Sequence, residues 1–67
     1  MKKYAVSYMD FFDNDLTTRI VEVDGDWKDA LKEAFPRTSN DIHGDEIEEV
    51  KDNAFDQDWL FEVVEII

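Results

Sequence analysis

The chain has no cysteine. That excludes disulfides and thiolate metal sites, so a domain of 67 residues must be held by its hydrophobic core alone. It also fits a reducing compartment. Proline occurs once and glycine twice, which leaves no material for a glycine-rich phosphate loop or a flexible linker. No apolar run approaches the roughly 20 residues needed to cross a bilayer. The charged start Met1-Lys2-Lys3 is followed by Tyr4 to Phe12, which Ser7 and Asp10 interrupt. Such a stretch is too polar and too short for the apolar part of a signal peptide. A soluble cytoplasmic protein is the expectation. Basic residues are scarce as well, seven against eighteen carboxylates.

The resulting formal charge of −11 makes the surface field strongly negative. Such a field attracts basic partners and repels nucleic acid, anionic membrane and further copies of the chain. High charge can signal disorder, but disordered chains are poor in aromatic and β-branched residues. Here hydrophobic residues are 43% and aromatics 13%, so the chain reads as one folded acidic domain over residues 1–67.

Residues 2–12 alternate, with Tyr4, Val6 and Tyr8 on one side and Ala5, Ser7 and Met9 on the other. Both sets are largely apolar, which predicts a strand with neighbours. Asp13-Asn14-Asp15 supplies residues that tolerate left-handed backbone in a tight turn. Residues 16–23 then alternate Leu16, Thr18 and Ile20 against Thr17, Arg19, Val21 and Val23. A β-hairpin joining 3–12 to 16–23 follows.

Asp24-Gly25-Asp26 breaks the pattern, and Asp26, or else Asp24, can cap a helix. Trp27, Ala30, Leu31, Ala34 and Phe35 form its apolar stripe, with Lys28, Asp29, Lys32 and Glu33 opposite. Pro36 ends it. Arg37 to Gly44 reads as a polar connection anchored only by Ile42. A second helix runs from about Asp45 to Asp56, burying Ile47, Val50 and Ala54 with Phe55 at the flank. Trp59 to Ile67 is a final strand, apolar on both faces for most of its length, as central or covered strands are. The expected fold is α+β with order ββααβ. A right-handed helical crossover then places the last strand beside the first. The result is a mainly antiparallel sheet in order 2-1-3 with both helices on one face. The other face stays open and carries apolar residues from every strand, unless it is mostly Thr, Ser and Glu. Exposed apolar patches of several hundred Å² mark interfaces.

On the second helix Asp45, Glu49, Asp52 and Asp56 fall within about 60° of one another. They lie opposite the apolar stripe, with Glu48 at its edge. Neighbours at this spacing stand about 5–6 Å apart, like successive charges on a nucleic-acid strand, and repel by a few tenths of a kcal/mol. An arrangement that costs stability invites a functional reading. The bland alternative is the solvated face of a very acidic protein. Trp59 stands at an element boundary beside Asp56 and Asp58, where partial exposure and a contact role compete with core packing. Trp27 belongs to the core stripe. Asp10, Asp13, Asp15, Asp24 and Asp26 lack the spacing and glycine of a calcium loop and read as turn and cap residues.

Nothing points to catalysis, a cofactor or a metal. His43 is alone in a polar loop, and Ser7 and Ser39 have no evident base in sequence or nucleophile elbow around them. Two readings remain. In the first, the chain inhibits or regulates a basic, nucleic-acid-binding protein by presenting Asp45, Glu48, Glu49, Asp52, Asp56 and Trp59, in the manner of a nucleic-acid mimic. Its small size with no accessory domain resembles, as a likeness of type, proteins by which phages and mobile elements block host enzymes. In the second, it is a structural module that dimerises through the open sheet face, with acidity serving solubility only. In either case crowded carboxylates repel, so salt or mild acid is expected to raise the melting temperature.

Overall fold

The alternation of residues 2–10 becomes the middle strand of the sheet. In a computed structural model that describes residues 1–66, the elements are β1 (Lys2–Asp10), β2 (Leu16–Val23), α1 (Trp27–Ala34), α2 (Ile47–Asp56) and β3 (Trp59–Ile66). A short 3-10 helix, Pro36–Asn40, follows α1. The sheet order is β2-β1-β3, and β1 pairs antiparallel with both neighbours. The two outer strands therefore run parallel to each other, which is why helices rather than a hairpin connect them.

β1 stops two residues earlier than its alternation suggests. The Asp10 carboxylate accepts the Phe12 N–H at 2.8 Å and the Asp10 carbonyl accepts the Asn14 N–H at 2.8 Å, so the chain turns at once. Asn14 takes the left-handed conformation, φ 57°, as its residue type allows. Asp26 is the α1 cap. Its carboxylate accepts the Lys28 and Asp29 N–H groups, and Asp29 returns a bond to the Asp26 N–H. This reciprocal box needs close approach at Gly25, where a Cβ would strike the Asp29 side chain.

Tyr4, Val6 and Tyr8 of β1, Val23 of β2, and Trp59 and Phe61 of β3 face the helices. Ala30, Leu31, Ala34 and Phe35 close on them from α1, and Val50 and Ala54 from α2. A continuous line of rings crosses this layer. Phe35 stacks on Tyr8 at 5.0 Å, Tyr8 meets Trp59 at 5.6 Å, Trp59 meets Phe61 at 5.4 Å, and Phe61 stacks on Trp27 at 5.9 Å. Such pairs contribute about 0.5–1.5 kcal/mol each beyond their buried area. That is how so short a chain builds a core without crosslinks.

The connection after α1 is more ordered than its polarity implies. Pro36 starts the 3-10 turn with its φ already set, and Thr38 is buried there with its hydroxyl donating to the Phe35 carbonyl at 2.7 Å. β3, apolar on both faces, forms an edge and is covered on one face only: Trp59 and Phe61 are buried under the helices, while Leu60, Val64 and Ile66 are exposed.

Candidate interaction surface

The open side of the sheet follows directly from the register. Leu16, Met9 and Leu60 lie side by side across the three strands, then Thr18, Ser7 and Glu62, then Ile20, Ala5 and Val64, and finally Glu22, Lys3 and Ile66. Two aliphatic rows thus alternate with two polar ones. Leu16 is 70% exposed, Ile20 58% and Val64 55%, although each sits in a regular strand. In the middle the central strand has only Ala5 and Ser7, flanked by the larger Ile20, Thr18, Val64 and Glu62. The surface there is a trough along β1. Toward the hairpin end it deepens into a groove of about 400 Å³ lined by Ser7, Met9, Leu16, Leu60 and Glu62, with Lys51 reaching in from α2. The Ser7 and Thr18 hydroxyls bond each other at 2.9 Å across the trough floor, and Lys51 Nζ holds Glu62 at 2.9 and 3.0 Å.

The acidic row of α2 is shorter than its sequence spacing suggests. The helix begins at Ile47, so Asp45 lies outside it. The Asp45 N–H donates to Glu49 Oε1 at 2.9 Å, and its carboxylate stands 3.9 Å from Lys28 Nζ. The physical reason is Gly44, whose φ of 119° turns the chain before the helix and lets the Glu49 side chain fold back over it. Glu49 thereby acts as a local cap, and Glu48 is 3.9 Å from Lys51. Glu49, Asp52 and Asp56 remain on one exposed helical face. Lys51 and Phe55 lie between that face and the sheet: Lys51 through Glu62, Phe55 through an edge-to-face contact with Phe11 at 5.6 Å.

Trp59 is not partly exposed. At 4% exposure it is a core residue packed between Tyr8 and Phe61, because the odd-numbered residues of β3 face the helices. Its Nε1 has no hydrogen-bond partner among the described residues. Phe12 and Phe55, which sequence reasoning placed in the first strand and at the flank of the second helix without a contact role, are largely exposed beside the hairpin and on α2. The available signal was an acidic neighbour, Asp13 beside Phe12 and Asp56 beside Phe55.

Among the described residues, five of the eighteen side-chain carboxylates sit in ion pairs: Asp10, Glu22, Asp45, Glu48 and Glu62. Most of the negative charge therefore has no nearby countercharge among the described residues. His43 is exposed, and its carbonyl accepts from Asn53 at 2.6 Å. Among the described residues no group of three or more acidic or histidine side chains is placed to hold a metal. No helix among them is long and apolar enough to cross a membrane. No protein-family model, curated protein or solved structure matches this chain.

Proposed function

We propose that this chain is a non-enzymatic interaction module that docks on a basic protein surface, as an inhibitor or regulator of a nucleic-acid-binding protein. The observation that carries this reading is the uncovered sheet face, where Leu16, Ile20, Leu60, Val64 and Ile66 are exposed on a molecule of charge −11. Aliphatic side chains displayed in register are an interface core, and the surrounding carboxylates are its polar rim. The apolar rows supply affinity once a partner covers them. Charge decides which partner approaches, since a complementary field speeds encounter with cationic surfaces and turns anionic ones away. Asp45, Glu48, Glu49, Asp52 and Asp56 act here as steering groups beside the docking face, a role close to mimicry of a nucleic-acid backbone.

A second copy of the chain would also bury the face, but it brings another −11 with it. The two occupants respond to salt in opposite directions. Screening weakens attraction to a basic partner and relieves repulsion between two acidic copies. Retention of basic proteins on the immobilised chain should therefore fall as NaCl rises from about 0.05 to about 0.5 M, while sedimentation should show a monomer at the low end. A stable dimer at low salt, or no basic protein retained there, would refute the proposal.

A further inference from the structure

The outer side of β2 is an open sheet edge eight residues long. Its pairing with β1 runs without a bulge from Leu16 to Val23, and among the described residues no backbone group of β2 bonds to anything else. Half of its N–H and C=O groups therefore face outward, in the row that an added strand uses. Native sheets blunt such edges with lysine, proline, a bulge or a covering element. The segment Leu16-Thr17-Thr18-Arg19-Ile20-Val21-Glu22-Val23 has no lysine and no proline, and all of it except Val21 and Val23 is exposed. Thr17, Thr18, Ile20, Val21 and Val23 are β-branched, the side chains a pleated strand favours. The opposite edge is guarded: Lys51 of α2 reaches round to Glu62 of β3 at 2.9 Å.

Charge divides this edge into a middle and two ends. The two charged side chains of β2 are both engaged. The Arg19 guanidinium lies 4.7 Å from the Phe35 ring centre and donates to the Ala34 carbonyl, and Glu22 stands 3.7 Å from Lys3 Nζ. Immediately beyond each end is an exposed aspartate, Asp15 before Leu16 and Asp24 after Val23. Neither has an ion-pair partner among the described residues.

We infer that the β2 edge takes up an extended segment of the basic partner as a fourth strand, with an uncharged middle and lysine or arginine at its two ends. The inference rests on the reading that the partner is basic, and it adds a defined mode of attachment to a docking face otherwise specified only by shape and field. At about 3.3 Å per residue the stretch from Asp15 to Asp24 spans about 30 Å, so the cationic ends stand about ten residues apart. Main-chain bonds of such a ladder supply affinity, and the alternate side chains and charged ends supply selection. On the open side, the added strand continues the aliphatic rows beyond Leu16 and Ile20, so edge and face form one surface. A second copy of the chain fits this edge poorly. Antiparallel pairing of β2 with itself in full register sets Asp15 and Asp24 of the two chains against each other at both ends, where like charges destabilise.

The test is amide NMR and hydrogen exchange on the whole chain with three blocked ten-residue peptides. The first alternates valine and threonine between two terminal lysines and is N-methylated on alternate residues, which leaves one edge able to bond and prevents stacking of the peptide on itself. The second is N-methylated at every valine and threonine, with charge and side chains unchanged. The third is the first with glutamate in place of both lysines. At about 0.15 M salt, where diffuse attraction is largely screened, the first should bind saturably and slow the exchange of alternate β2 amides by about tenfold or more. The other two should not. Asp15→Asn with Asp24→Asn should weaken the first roughly threefold. Equal binding of the first and either control, shifts confined to Leu60, Val64 and Ile66, or no saturable binding of the first would overturn strand addition. With basic proteins still retained by the immobilised chain, any of these results leaves the proposed function standing. Slowed β2 exchange without such retention would instead remove that function and leave the edge.

Discussion

Gly44 concentrates several physical effects in one residue. Its φ of 119° is strained for any residue with a side chain, and an added Cβ would stand 2.5 Å from Glu49 Oε1. Gly44→Ala is expected to destabilise the fold by about 1–3 kcal/mol, read by urea denaturation. Asp26→Ala removes a cap that satisfies two backbone donors and should cost about 1 kcal/mol in the same measurement. Tyr8 has a pH signature. Its folded-state pKa lies above its unfolded value of about 10 because burial penalises the phenolate. The unfolded chain then loses this proton first as pH rises. The stabilisation is therefore fully present below pH about 10 and is lost as pH climbs through the folded pKa. Melting temperatures from pH 9 to 12 should fall less steeply in Tyr8→Phe than in the parent; equal slopes would show that Tyr8 is not the group responsible.

Among the elements, α2 contains the conflict between stability and charge. Glu48 and Glu49 suit its N-terminal turn, but its last turn has no basic residue and ends in Asp56. Asp52 and Asp56 also repel each other at i,i+4. Asp52→Asn with Asp56→Asn should therefore stabilise the protein, by about 0.3–1 kcal/mol, while slowing association with a basic partner. A destabilised variant would mean that the two carboxylates hold a structural contact. Much of this element level was legible in the sequence. The period-2 alternation of β1 and β2, the Asp26 cap and the stripe through Trp27, Leu31 and Phe35 are local patterns, and local patterns survive folding. The start of α2 was not legible, because it depends on a glycine turn and on Glu49 folding back over it. Trp59 was ambiguous for a related reason: which face of an apolar strand is buried depends on the helices above it, not on the strand.

At the scale of the whole molecule, one side of the sheet is covered and the other is not. Covering with α1 and α2 yields a core of rings, and the uncovered side displays aliphatic rows that the sequence anticipated without fixing which residues they hold. Among the described residues most carboxylates lack a nearby cation, so the folded state carries net self-repulsion. Moderate NaCl should raise the melting temperature, as screening relieves more repulsion than attraction. A fall on adding salt would mean that the few ion pairs, Lys51 with Glu62 foremost, outweigh the repulsion.

In the proposed function the open sheet face, and not charge alone, holds the partner. The direct measurement compares the parent with Ile20→Thr plus Val64→Thr, which keeps the net charge and β-propensity while removing aliphatic contact from the trough. At about 0.15 M salt, basic proteins retained by the parent should be lost by the variant, with the variant's melting temperature close to the parent's. Equal retention by both would exclude the sheet face as the docking surface, and would reduce the binding to the pull of eighteen carboxylates on any cationic surface.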